Sequence, residues 1–233
     1  MPTGRLYGLG LGPGDPELVT LKALRLLRAA PVVAYPAPDC GDSFARHIVA
    51  EWLDRGQREI AIGFPMRPGP PPVAIYQAAA GRLAGVLDAG DDIAYLCQGD
   101  PLFYGSFAGI LTRLAVRYYV TVVPGVSSLT ACAAAAATPL VQRDEILTVI
   151  PANLPEDALA RRLAESDAAA VIKLGRHFAK LRRVLAQLGL LDRAIYVERA
   201  SLPTQRIAPL ATIEPASVPY FATALIPARS PIE

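Results

Sequence analysis

The stretch Leu6-Tyr7-Gly8-Leu9-Gly10-Leu11-Gly12-Pro13-Gly14-Asp15-Pro16-Glu17 decides how the first half of the chain reads. Leu6 to Leu11, apolar residues interleaved with glycine, reads as a strand. Asp15-Pro16-Glu17 then starts a helix, with an acceptor at the N-cap, proline at the first helical position and an acid in the first turn. Glycines at 8, 10, 12 and 14 let the backbone approach a ligand closely at the junction of strand and helix. A dinucleotide fingerprint does not fit. It requires G-x-G-x-x-G, and the third glycine falls on Pro13 counted from Gly8 and on Asp15 counted from Gly10. An acid there would face a pyrophosphate, so the stretch reads as a ligand loop with phosphate disfavoured.

Outward from this loop, short apolar runs alternate with helical patterns. The helix after Asp15 runs to Ala30, with Val19, Ala23, Leu26, Leu27 and Ala30 on one face and Lys22, Arg25 and Arg28 on the other. Strands follow at 32–35, 59–64, 93–97 and 119–123, and helices at 43–52, 73–87, 105–116 and 129–137. This β-α alternation implies a largely parallel sheet covered by helices. The second half has strands at 146–150 and 169–174 and helices at 156–165 and 178–188. It closes on consecutive strands at 195–197, 206–211 and 220–226, which implies a mixed sheet with antiparallel members. The fold class is α/β in two domains, 1–116 and 117–233.

Composition narrows the function classes. The 233 residues are 52% hydrophobic and 19% charged, which excludes a disordered chain. Lys and Arg number 23 against 21 Asp and Glu, so a nucleic-acid partner that needs a basic face is not expected. The opening Met1-Pro2-Thr3-Gly4-Arg5-Leu6-Tyr7 lacks the layout of a secretion signal, and the cytoplasm is the expected location. The uncharged stretch from Tyr118 to Gln142 is long enough to cross a bilayer. However, Pro124-Gly125, Ser127-Ser128 and Pro139 interrupt it, so it reads as strand, turn and helix and no membrane span is expected. Cys40, Cys97 and Cys132 form no CxxC pair and are expected as free or buried thiols. His47 and His177 give a metal site little to build from. Prolines number 22, about twice the usual share, which forbids long helices and demands many loops.

Two further loops carry chemistry. Gly99-Asp100-Pro101-Leu102-Phe103-Tyr104-Gly105-Ser106 follows a buried strand, at the carboxyl edge where α/β sheets bind ligands. Asp100 is able to accept from an amine or a ribose hydroxyl, and Phe103 and Tyr104 offer an apolar wall. As a purely structural element, Asp100 is a helix-capping residue before proline. Pro124-Gly125-Val126-Ser127-Ser128 again joins a strand to a helix, and its serines either cap that helix or touch a ligand. Gly125-Val126-Ser127-Ser128-Leu129 lacks the closing glycine of G-x-S-x-G, which disfavours a serine hydrolase.

Taken together, Gly10-x-Gly12-Pro13-Gly14-Asp15-Pro16 with Leu21-Lys22-Ala23, Gly99-Asp100-Pro101, and Pro124-Gly125-Val126-Ser127-Ser128 resemble the signatures of the tetrapyrrole (corrin/porphyrin) methylases. The resemblance covers nearly the whole chain. Phe64-Pro65-Met66, Asp100 to Ser106, Val171-Ile172-Lys173-Leu174-Gly175-Arg176, Tyr196-Val197-Glu198-Arg199-Ala200 and Pro219-Tyr220-Phe221 resemble the branch that methylates C20 of precorrin-2. The sister branch acting on the cobalt-loaded ring is similar. Ala222 stands where that branch leads one to expect serine.

The resemblance implies two α/β domains with the active-site cleft between them, S-adenosylmethionine as cofactor, a tetrapyrrole substrate and a homodimer; from the few histidines and scattered cysteines no metal is expected. It implies cofactor contacts at Pro13, Gly99, Asp100, Pro101, Phe103, Ser127, Ser128, Leu174, Ala200 and Ala224, with the strand Phe221–Ala224 beside the adenosine. Arginine suits the substrate's carboxylates, and Arg67, Arg46 and Arg176 are the candidates, with Tyr104 beside them. A base or water must accept the proton that leaves C20, and Glu198 is the candidate; its alternative role is an ion pair with Arg199. Other readings are a superfamily member with a macromolecular substrate, of the diphthine synthase or ribosomal RNA ribose methylase type, and a nicotinamide-dependent oxidoreductase.

Overall fold

A computed structural model describes residues 2–38, 42–64 and 72–228. They divide into two units, Met1–Ser127 and Ser128–Glu233. The expectation set the division at 116/117. The later point follows from the pairing of the strand at 120–123 with the first strand of the chain.

The first unit is built on β1 (Leu6–Gly10), β2 (Val32–Ala37), β3 (Arg58–Gly63), β4 (Ile93–Cys97) and β5 (Val120–Val123). Their order is β3-β2-β4-β1-β5, and every pairing is parallel. Helices α1 (Leu21–Ala29), α2 (Phe44–Ile48), α3 (Val73–Asp88) and α4 (Phe107–Leu114) cover the sheet. Strand side chains alternate between two cores. Leu9, Val33, Ala94 and Leu96 pack with Ala23 and Leu27 of α1 and with Ala45 and Ile48 of α2. Val32, Ala34, Ile93 and Tyr95 pack with Leu83 and Leu87 of α3 and with Phe107 and Ile110 of α4.

The helix expected from Asp15 to Ala30 is two elements. Asp15 caps only a 3-10 turn, Pro16–Leu18. Val19 and Thr20 are extended, and the Thr20 hydroxyl accepts from the Ala23 amide to cap α1. β-branched Val19 and Thr20 disfavour helix, and threonine is a good cap, so the second cap prevails.

The second unit holds α5 (Ser128–Ala135), β6 (Leu147–Pro151), α6 (Glu156–Ala164), β7 (Ala168–Ile172), α7 (Phe178–Gln187), β8 (Ile195–Glu198), β9 (Arg206–Pro209) and β10 (Ala222–Ile226). The strand order is β6-β7-β10-β8-β9. β6 and β7 are parallel, and β10 runs antiparallel to both β7 and β8. The expected mixed sheet is therefore observed. Its core joins Leu159 and Leu163 of α6, Phe178 and Leu181 of α7, and Val171, Tyr196 and Ala224 of the strands. No helix among the described residues is long and apolar enough to cross a membrane.

Candidate functional site

In the first unit β4, β1 and β5 lie side by side and parallel, so their carboxyl ends open at one edge. The three glycine-bearing loops leave from these ends and close over β1. Gly12 and Gly99 form an antiparallel bridge, with the Gly99 amide donating to the Gly12 carbonyl at 2.7 Å. Gly12 has φ +77°, a left-handed conformation that favours glycine.

The glycines of β1 serve contact rather than flexibility. A Cβ on Gly10 would stand 2.4 Å from the Gly125 nitrogen, and one on Gly125 would stand 2.2 Å from the Gly99 carbonyl oxygen. The backbones of the three loops thus touch. Gly99 differs: among the described residues, none beyond its chain neighbours has an atom within 4 Å of where its Cβ would be. That open face on a left-handed residue (φ +68°) leaves room for a ligand against bare backbone.

Asp100 ties the loops together. One carboxylate oxygen accepts from the Leu102 amide at 2.9 Å, closing its own turn. The other accepts from the Gly125 amide at 3.1 Å. Pro13 and Pro101 are buried, and Ser127 is half-buried. Phe103 and Tyr104 are exposed and stacked edge to face at 5.0 Å, and Tyr104 has φ +57°. Just beneath, burial and then the charge of Asp100 push the Cys97 thiol well above its ordinary pKa, so it stays protonated. The segments 11–16, 98–106 and 124–128 contain no lysine or arginine and two carboxylates, Asp15 and Asp100. Such a lining suits a ligand with cationic character and opposes a phosphate.

In the second unit, Lys173 and Leu174 follow β7, Glu198 ends β8, and Phe221 precedes β10. Ala222 pairs with Glu198 and Ala224 with Val171, and the Arg199 amide donates to the Phe221 carbonyl at 3.0 Å. One end of this sheet therefore collects Leu174, Glu198, Ala200 and Phe221–Ala224. Lys173 (φ +61°), Arg199 (φ +49°) and Ser201 (φ +71°) are left-handed there without being glycine. Backbone strain of this kind persists where the surrounding structure enforces it. Leu174 and Ala224 are fully buried, so they offer a ligand little side-chain surface.

Glu198 is the one buried carboxylate among the described residues. Its expected partner Arg199 stands 3.8 Å away. The closer partner is the buried Tyr196 hydroxyl, which donates to Glu198. Burial and this bond both raise the Tyr196 pKa, so the phenol stays protonated. Tyr196 was not singled out as a site residue, although its position two residues before Glu198, on the same strand face, was a usable signal.

The arginines separate. Arg46 is held by Glu59 through two contacts, 2.6 and 2.8 Å, which raise the guanidinium pKa and lower that of the carboxylate. Arg176 is exposed, 3.4 Å from His177, and it belongs to the second unit. Desolvation, then Lys180 and Arg176, lower the His177 pKa. Arg67 and Cys40 lie outside the described residues.

A parallel sheet with glycine-bearing loops at its carboxyl edge, joined in one chain to a mixed sheet with a buried carboxylate, defines an α/β protein of two units whose first sheet opens where such folds place ligands. The family model for Tetrapyrrole (Corrin/Porphyrin) Methylases matches residues 5–214, and the chain belongs to that family. It is 48% identical to the cobalamin biosynthesis protein CobIJ of Mycobacterium tuberculosis over 96% of this chain but 46% of that protein, so it spans about half the relative's length. It is 40% identical to the precorrin-2 C(20)-methyltransferase of Sinorhizobium sp, covering 96% of this chain and 95% of the relative. Its fold matches the crystal structure of the uroporphyrin-III C-methyl transferase from Thermus thermophilus complexed with S-adenyl homocysteine. The TM-score is 0.70 and the identity 28%, over 95% of this chain and 97% of that one.

Proposed function

We propose that this chain transfers the methyl group of S-adenosylmethionine to C20 of precorrin-2, giving precorrin-3A on the route to cobalamin. The similarity to the Sinorhizobium enzyme along nearly the full length of both chains carries this reading. The open face at Gly99 and the cation-free loops fit the cofactor, whose sulfonium supplies an already activated methyl group. The protein's own task is then to hold both reactants in line in a dry site.

In this reading Pro13, Gly99, Asp100 and Pro101 wall the methionine end, with Ser127 and Ser128 beside them. Leu174, Ala200 and Ala224 border the adenosine, Leu174 and Ala224 through backbone because their side chains are buried. Phe103 and Tyr104 give the apolar wall between cofactor and ring. Arg67 and Arg176 take ring carboxylates, and Arg46 does so only with the N–H groups that Glu59 leaves over. Glu198 accepts the proton released from C20. The family resemblance also leads us to expect a homodimer, the unpaired cysteine spacing a cytoplasmic location, and the near-neutral charge no nucleic-acid partner.

Incubation with precorrin-2 and methyl-labelled donor tests the activity. Label and one added methyl mass in the tetrapyrrole are expected, and an unlabelled product rejects the reading. The same assay on cobalt-loaded substrate compares the two branches. Light scattering at micromolar concentration reads the oligomeric state.

A further inference from the structure

β4 and β5 are not neighbours, because β1 lies between them. Their loops nevertheless meet across the end of β1, where Gly125 packs against the Gly99 carbonyl. The Asp100 side chain fastens that contact, reaching from its own loop to the amide of Gly125, 25 residues on. We propose that Asp100 is a positioning residue: its carboxylate clasps the β4 loop to the β5 loop and so shapes the backbone floor on which the cofactor rests. This rests on the methyl-transfer reading above for the identity of the ligand, though not for the clasp itself.

Three observations support the assignment. Both carboxylate oxygens already accept from backbone amides, at 2.9 and 3.1 Å, and charge makes such bonds stronger than neutral ones. The amide taken from the β5 loop belongs to Gly125, whose Cα packs against both Gly10 and the Gly99 carbonyl. The open face lies on Gly99, the residue just before Asp100. The residue that grips Gly125 thus adjoins the residue that faces open space, so loosening the grip moves the floor.

The experiment has two parts. In ligand-free protein, amide hydrogen exchange at Leu102 and Gly125 is compared between wild type and Asp100→Asn. Asparagine keeps one acceptor oxygen, so Asp100→Ala, which removes both, is measured beside it, and in that variant the Gly125 amide is expected to exchange at least about tenfold faster. Unchanged exchange at Gly125 in Asp100→Ala overturns the clasp. S-adenosylhomocysteine is then titrated calorimetrically into wild type, Asp100→Asn, Gly125→Ala and the double variant. If Asp100 acts through Gly125, the losses of affinity overlap and the double variant is no weaker than the worse single one. Additive losses mean that Asp100 grips the ligand directly, and they overturn the proposal. Should Gly125→Ala fail to fold, the exchange measurement at Gly125 in Asp100→Ala decides alone. Wild type that binds no S-adenosylhomocysteine rejects the methyl-transfer reading and leaves the exchange result standing.

Discussion

Pro13 sits buried between Gly12 and Gly14, where the β1 loop bends back to meet Gly99. Its ring fixes φ, so the loop loses less entropy when a ligand arrives. Pro13→Ala is expected to weaken S-adenosylhomocysteine binding by about two- to fivefold while the unfolding midpoint changes less. Unchanged affinity by titration would count against a preorganising role. Arg46 and Glu59 make a different prediction. The pair is about a third to two fifths exposed, which limits it to about 0.5–1 kcal/mol. The folded-state pKa of Glu59 is depressed, so its contribution is present above the unfolded carboxylate pKa of about 4.3 and disappears as pH falls through the folded value. Denaturant melts should therefore show Arg46→Gln less stable than wild type at pH 7. The gap should narrow as pH falls below the unfolded carboxylate value and close once it has passed the lower folded one. A gap that is constant with pH would assign the loss to packing of the arginine stem instead.

At the scale of elements, β1 and α4 are fitted to each other through a missing side chain. A Cβ on Gly8 would come within 2.4 Å of the Phe107 ring, which is fully buried against Tyr95 at 5.2 Å between centroids. Gly8→Ala is thus expected to destabilise by about 1–3 kcal/mol through overpacking. Phe107→Leu, which relieves the clash, should recover part of that loss in the double variant. Additive effects in denaturant melts would show that the two do not touch. The alternating glycines were legible as a strand before a tight loop, and α3 and β4 were legible from their patterns almost to the residue. The start of α1 was not. Asp15-Pro16-Glu17 and Thr20 both satisfy the local rules for a cap, and only the extended backbone at Val19 and Thr20 selects the second.

For the whole molecule, a ligand held only by the native state must stabilise it. S-adenosylhomocysteine at one hundred times its dissociation constant should add about 2.7 kcal/mol, read as a raised thermal midpoint. A nicotinamide nucleotide at the same concentration should add nothing, since Pro13 and Asp15 occupy the places a dinucleotide fingerprint gives to glycine. The reverse result would restore the oxidoreductase reading. The two cores are built from different local patterns. Strand–helix alternation gives the parallel sheet of the first unit, and the consecutive strands near the end give the antiparallel members of the second. The division between the units falls after β5, whose allegiance to β1 is a long-range pairing that composition does not mark.

The sequence by itself determined the α/β class, the mixed second sheet, the three glycine-bearing loops and the family. Each of these is written in local periodicity or in short motifs whose residues are contiguous. Tertiary structure alone decided what the motif residues do to one another. It brought Gly10, Gly99 and Gly125 into backbone contact, gave Asp100 its two amide partners, placed Tyr196 against Glu198 and committed Arg46 to Glu59. The reason is physical. A carboxylate or guanidinium finds its partner across strands that are distant in sequence, and strand order sets which groups meet.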